Sequence, residues 1–211
     1  MAGIRQFDED AALAAALEVF RRQGLAATSM LDLAQATGVQ RGSLYHAYGD
    51  KKALFLRAFD LYEARFLQSV EASLAGDDAG DVLHRFFESA IAHMTAGSPS
   101  QGCLTTKTAT DGSTGSAPVH ARLQALVDRL GRLVTAALER PAIRRQLTLD
   151  ARAAASVVIT FTRGLAVMER IHGDTKALRL AAGALTAALV RRPPQRGRSS
   201  KTCPPAGASS A

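Results

Sequence analysis

The chain has 211 residues, with 26 Lys and Arg against 19 Asp and Glu, a formal charge of +7 and an isoelectric point near 10.0. Its 47% hydrophobic and 21% charged residues exclude wholesale disorder, and the basic excess points to polyanions, either nucleic acid or an acidic membrane surface. Aromatics are 5%, Trp is absent and Ala runs through almost every segment, so the composition favours helices over sheet.

From residue 8 to 23 the apolar positions Leu13, Ala16, Leu17 and Phe20 follow the i, i+3, i+4, i+7 spacing of a helix with one inward face. Asp8 is placed to cap it and Gly24 to stop it. A second short helix starts at Thr28 or Ser29, where Ser29 and Asp32 make a loose capping box, and ends at Thr37-Gly38. A third begins near Gln40 and runs to His46 or Ala47. Asp50 then opens a longer helix to residue 74, with Leu54, Ala58, Leu61, Phe66 and Val70 as inward candidates. Beyond Ala75-Gly76, helical patterns cover 78–95, 103–111, 118–139, 148–171 and 175–191, with Gly, Ser and Pro clustered at 97–100 and 112–118. No strand alternation and no solenoid-length repeat stands out. The stretch from Arg191 to the end has no apolar face and is predicted to be disordered.

Two short helices joined by a tight turn containing Gly are the signature of a helix-turn-helix. Leu33 and Ala34 lie on the inner face of the first, Gly38 occupies the turn where positive φ is easiest for Gly, and Val39 and Leu44 anchor the second. That leaves Gln40, Arg41, Ser43, Tyr45 and His46 on the exposed side of a helix slim enough for a major groove. Arg and Gln suit bidentate contacts with base edges; Tyr, Ser, Thr and Lys suit phosphates.

The segment GLAATSMLDLAQATGVQRGSLYHAYGDKKALF, residues 24–55, resembles the DNA-binding domain of the TetR/AcrR family of bacterial transcriptional regulators, most strongly over GVQRGSLYHAYGDKKALF. The resemblance implies an all-α fold: an N-terminal three-helix helix-turn-helix domain at 1–50, a helical ligand-binding and dimerisation domain at 51–190, and a disordered basic tail at 191–211. It further implies a homodimer on double-stranded operator DNA. Gln40, Arg41, Gly42 and Ser43 would lie at base edges or nearby phosphates, with Tyr45, His46, Thr28 and Ser29 against the backbone. Lys51 matches the family lysine that opens the fourth helix and touches phosphate. Lys52 stands where the family usually has Glu, and Tyr48 where Phe is commoner. Tyr48 also reads as a core aromatic, and His46 as a solvated surface residue.

Regulators of this type hold a small-molecule pocket within the C-terminal helices and dimerise through the last two, here near 147–171 and 175–191. Small residues at helical spacing, Ala151, Ala155, Thr162 and Ala166, would let two helices approach closely. Pocket candidates are Phe66, Phe86, Phe87, Met94, Cys103, Leu104, Phe161, Met168 and Arg163, which would suit an apolar or aromatic effector; each hydrophobe among them also reads as core. Gly102-Cys103-Leu104 resembles an element that opens a helix in a branch of the family sensing electrophiles or oxidants. A helix start and Lys107 one turn on would favour the Cys103 thiolate, although a lone Cys is also a small inert hydrophobe.

Cys103 and Cys203 form neither a disulfide framework nor a metal cluster. Asp77, Asp78, Asp81 and His84 have ligand-like helical spacings but read as acids complementing a helix start. No nucleophile–base pair, phosphate loop, metal motif or cofactor signature is present, so the sequence points away from an enzyme. The N-terminus turns acidic where a signal peptide would be apolar, and the longest charge-poor segment, 153–162, is too short for a bilayer. A cytoplasmic protein without a membrane partner is expected.

The leading expectation is a repressor released from a palindromic operator by a small molecule. One alternative is a thiol-based redox or electrophile sensor acting through Cys103; another is a non-specific nucleic-acid coat driven by the tail. Residues 191–211 hold five basic residues and no acidic one, so they supply five of the seven net charges, while residues 1–57 carry seven basic against six acidic. The bulk charge therefore says little about DNA; the placement of Arg41, Tyr45 and Lys51 says more.

Overall fold

The computed structural model describes residues 7–191, which form ten α-helices and one short 3-10 turn with no strand among them. In order these are α1 (Glu9–Gln23), α2 (Met30–Thr37), α3 (Arg41–Tyr48), α4 (Lys51–Ser73), α5 (Ala79–Thr95), α6 (Leu104–Thr110), α7 (Ala117–Glu139), α8 (Pro141–Arg144), α9 (Ala151–His172) and α10 (Thr175–Leu189), with the 3-10 turn at Ser113–Gly115 before α7. Asp8, Ser29, Asp50, Asp78, Asp150 and Asp174 each accept a hydrogen bond from a backbone N–H of the helix they open. Such caps occupy donors that the first turn cannot pair internally. The Asp78 carboxylate takes the Asp81 amide at 2.9 Å, a helix-opening role for the acidic cluster.

Leu13, Ala16, Leu17 and Phe20 of α1 all turn inward, as their spacing predicts, against α2 and the first turns of α4. α4 serves both units. Phe55 meets Phe20 edge-on at 5.1 Å, and Phe59, Tyr62 and Phe66 follow at centroid steps of 5.5, 5.5 and 6.1 Å. This aromatic column runs from the helix-turn-helix core into the C-terminal domain, where His93 of α5 packs against Tyr62 and Phe66.

α5, α7, α9 and α10 pack against one another and the rest of α4. Glu63, buried on α4, pairs with Arg122 at 3.1 Å and with Arg129 at 3.8 Å on α7. At the far end Leu147 and Val190 form an isolated antiparallel bridge, and the Arg191 guanidinium donates to the Leu147 carbonyl at 2.7 Å, so the first residue assigned to the tail is tied to the bundle. The predicted disorder of the remaining tail, with Cys203, falls on residues 192–211, outside the described residues.

α8 and the 3-10 turn were not anticipated; both are single turns without an apolar period of their own. The charge-poor segment also differs from expectation. Taken whole, α9 is 22 residues with a mean hydropathy of 1.3 in its most apolar stretch, long and apolar enough to cross a membrane. Of that stretch 39% is buried in the fold, where α9 packs on α5, α7 and α10.

Candidate nucleic-acid interface and effector site

The turn between α2 and α3 rests on Gly38, which adopts φ 67° and ψ 8° in the left-handed region. Thr37 closes α2 by donating from its hydroxyl to the Leu33 carbonyl at 2.7 Å and accepting from the Val39 amide at 3.2 Å. α3 buries one side chain completely, Leu44, and lays half-buried Tyr48 against the core. The rest of its surface is open: Gln40, Arg41, Gly42, Tyr45, His46 and Ala47 are exposed and Ser43 half-buried. At eight residues α3 is roughly 12 Å long, about a major-groove width. No acidic residue occurs between 33 and 49, and Arg41 and His46 are both exposed. Tyr45 is 45% exposed and turns its ring outward from the core.

Three other expected contacts lie differently. Thr28 is buried, and its hydroxyl donates to the Gly24 carbonyl at 2.6 Å, so it fixes the α1–α2 turn. Ser29 stays exposed, but its hydroxyl is engaged in a closed capping box, donating to Asp32 Oδ2 at 2.7 Å and accepting from the Asp32 amide at 3.1 Å. Those Ser29 bonds and the nearby Lys51 charge hold the Asp32 carboxyl below its ordinary range. Lys51 itself turns inward: its ammonium donates to the carbonyls of Leu25 at 2.8 Å, Ala26 at 3.3 Å and Thr28 at 2.6 Å. All three N–H bonds are taken, so the side chain clamps the α1–α2 turn where a phosphate contact was expected.

In the C-terminal domain Cys103 caps α6 with its side chain buried, 3.8 Å from the Tyr62 hydroxyl and 3.6 Å from Arg163 Nη1. Burial alone would raise the thiol, but the Arg163 charge and hydrogen bonding from Thr106 and Tyr62 outweigh it and hold the thiol below its usual range. Burial pushes the Tyr62 phenol far above its own. Beside them burial, then Arg21 and Arg163, push His93 down to about 4, so its ring is neutral at physiological pH.

A cavity of about 570 Å3 opens between α6, α7 and α9, lined by Thr106, Ala109, Leu123, Val127 and Arg163 among others. A neighbouring cleft of about 420 Å3 has Cys103 and Lys107 in its wall. Phe66, Phe86, Phe87, Met94 and Leu104 are buried core and Phe161 packs on Phe87; none of them lines either space. Met168 is 45% exposed on the outer side of α9. Of the expected lining residues the bulky hydrophobes fill core, while Arg163 and Cys103 do line the two spaces, joined by the unexpected threonines of α6, whose small side chains leave room. Their run in LTTKTAT, opposite Arg163, was the available signal.

Ala151, Ala155, Thr162 and Ala166 are likewise buried within the chain, so their small size serves packing inside the protomer. The outward stripe of α9 is different: Val157, Gly164, Val167 and Ile171 are exposed, Gly164 and Val167 also lining the α6–α7–α9 cavity, with Leu180 of α10 at 77%.

α6 also reaches the recognition unit. Lys107 Nζ donates to the carbonyls of Arg21, Arg22 and Gln101, the latter two at 3.0 and 3.1 Å. Asp111 Oδ2 accepts from the Ala26 amide at 3.1 Å. Burial, then the charge of Arg170, lowers Lys107 to about 8.

Comparison with known proteins agrees with this anatomy. Residues 12–58 match the family model "Bacterial regulatory proteins, tetR family", and residues 79–185, half of the chain, match "Tetracyclin repressor-like, C-terminal domain". The HTH-type transcriptional repressor ComR of Escherichia coli is 34% identical over 100 residues, 46% of this chain and 48% of that protein. YezE of Bacillus subtilis, an uncharacterized HTH-type transcriptional regulator, is 43% identical over 58 residues, 28% of this chain and 30% of its own. The chain spans about half or less of the length of the curated relatives it matches. A cysteine mutant of the TetR family transcriptional regulator CifR, complexed with 26-bp double-strand operator DNA, superposes with a TM-score of 0.79 at 25% identity over 89% of this chain and 100% of that one. The reduced form of Escherichia coli NemR has the same fold, with a TM-score of 0.76 at 19% identity over 88% of this chain and 97% of that one. With recognition unit and helical domain both matched, the chain belongs to the TetR family of DNA-binding bacterial transcriptional regulators.

Proposed function

We propose that the protein is a homodimeric repressor that grips a palindromic operator through two copies of α3 and lets go when a small molecule occupies its C-terminal domain. The observation that carries this reading is α6. One face of that helix lines the cavity, while Lys107 on it and Asp111 at its C-terminal cap hold the end of α1 and the turn into α2. A ligand seated against α6 therefore pulls on the turn that aims α2 and α3. The outward apolar stripe of α9 with Leu180 of α10 supports dimerisation, since a face of this kind is costly in water. Two recognition helices about 34–36 Å apart then read half-sites one helical turn apart. The effector shifts the dimer away from that spacing, and by linkage the operator weakens effector binding by the same factor.

Selection of bound sequences from random duplex DNA tests the reading, which expects a palindrome. Sequence-indifferent enrichment would instead favour a non-specific coat. An effector that binds equally well with and without operator would remove the allosteric part.

A second reading has one observation of its own, the Arg163 guanidinium against the Cys103 sulfur. Here an oxidant or electrophile acts on Cys103 and no reversible ligand is needed. Replacing Cys103 by Ser then abolishes derepression by such reagents while sparing DNA binding; derepression that persists in Cys103→Ser rules it out.

A further inference from the structure

Arg163 is the one arginine in the wall of the α6–α7–α9 cavity, and its surroundings are unusual for a guanidinium. Nη1 donates to the Cys103 sulfur at 3.6 Å, Nη2 reaches the Thr162 hydroxyl at a long 3.4 Å, and Nε is buried with no acceptor. Among the described residues no carboxylate lies within ion-pair distance of it. Glu169, two turns along α9, is turned to the Ser100 hydroxyl, and Asp128 lines the cavity from α7 without reaching the guanidinium. A guanidinium cannot shed its proton to escape burial, so one that faces only a thiol and a hydroxyl, with no carboxylate beside it, can still take an anion. Its planar fork is matched by the two oxygens of a carboxylate. Ala109, Leu123, Val127 and Val167 offer apolar surface beside the threonines of α6, Gln124 and Asp128, and about 570 Å3 suits a small organic molecule.

We infer that this cavity takes small amphipathic carboxylates, with the apolar body between α6 and α7 and the carboxylate on the Arg163 guanidinium. This rests on the effector reading above and names its chemical class. The test titrates the full-length protein by calorimetry with matched pairs: 4-phenylbutyrate and 4-phenylbutanamide, 2-naphthoate and 2-naphthamide, decanoate and decanamide. At least one carboxylate should bind once per chain and tenfold or more tighter than its amide. Arg163→Met, or Arg163→Gln if the first does not fold, should erase that preference, and Cys103→Ser should keep it. The inference falls if no carboxylate outbinds its amide, as it would were a second copy to cover the cavity, or if the preference survives in the Arg163 variants. Repeating the titrations with selected operator DNA separates the two claims. Carboxylate preference without operator release overturns the effector reading and leaves the ligand class standing. Release by amides alone does the reverse.

Discussion

Lys51→Met keeps the alkyl stem of the lysine and deletes its ammonium, leaving the carbonyls of Leu25, Ala26 and Thr28 without their donor. The Ala26 bond is the longest, at 3.3 Å, and that residue is exposed, so water replaces it. The other two serve carbonyls of buried residues at 2.8 and 2.6 Å. Charge-assisted bonds of this kind are worth about 1.5 kcal/mol each, so the loss approaches 3 kcal/mol, and water reaching the half-buried site trims it to about 2 kcal/mol. For a chain of this size that is about 4–8 °C in melting temperature, followed by far-ultraviolet circular dichroism. Operator affinity should fall with it, through a displaced α2 and α3, while the dependence of log affinity on log salt keeps its slope. A phosphate contact predicts the opposite, a slope shallower by about 0.9 per contact, hence about 1.8 for a dimer, with melting unchanged. That second pattern would refute the clamp.

Arg41→Ala should cost about 1–3 kcal/mol of operator affinity and relax discrimination at one base pair of each half-site, measured by binding to single-substituted operators; a loss spread evenly over all positions reassigns Arg41 to phosphate. Gly38→Ala meets no atom within 4 Å, so its cost is the left-handed backbone alone, about 1–2 kcal/mol in thermal unfolding, and Gly38→Asn should cost less because Asn tolerates that region. Equal losses in the two variants contradict that account. His93 is held near 4 against 6.5 for a free side chain, so the unfolded chain binds its proton first. Stability from this group is present above pH 6.5 and is lost as pH falls towards 4, by about 2–3 kcal/mol. His93→Phe, which keeps a ring against Tyr62 and Phe66, should flatten that part of the acid limb; an unchanged limb means His93 is not its source.

Most of the helices could be read because their signals are local. Asp or Ser before α1, α2, α4 and α5, apolar residues at i, i+3, i+4 and Gly after α1, α2 and α3 act within one or two turns, and α1 to α5 begin within two residues of the expected positions. The open face of α3 was legible for the same reason: with Leu44 and Tyr48 inward, the helical period leaves Arg41, Tyr45 and His46 outside. What failed depended on partners far along the chain. Lys51 reads as a phosphate contact until the chain brings three carbonyls from 23 to 26 residues earlier around it. Small residues on α9 read as a subunit contact, yet which face of an amphipathic helix goes to its own bundle depends on α5, α7 and α10. Cavities follow from what side chains fail to fill, so a list of large hydrophobes located the core instead.

The most consequential of these distant contacts is Lys107. The last carbonyls of a helix lack internal donors and carry the negative end of its dipole. α1 has Arg21 and Arg22 there, and the cation that caps them comes from α6, in the other domain. With Lys51 holding the adjoining turn from α4, the segment that aims α2 is gripped from two sides. Two charge-assisted bonds amount to about 2–3 kcal/mol, the size of coupling that separates two allosteric states. Lys107→Met should therefore free the 24–28 turn while leaving α10 as it is. Amide exchange there should rise tenfold or more, and any effector should lose most of its influence on operator affinity. If that turn stays as protected as in the parent protein, α6 is not the strut between cavity and recognition helix, and the proposed coupling would have to run through the aromatic column of α4.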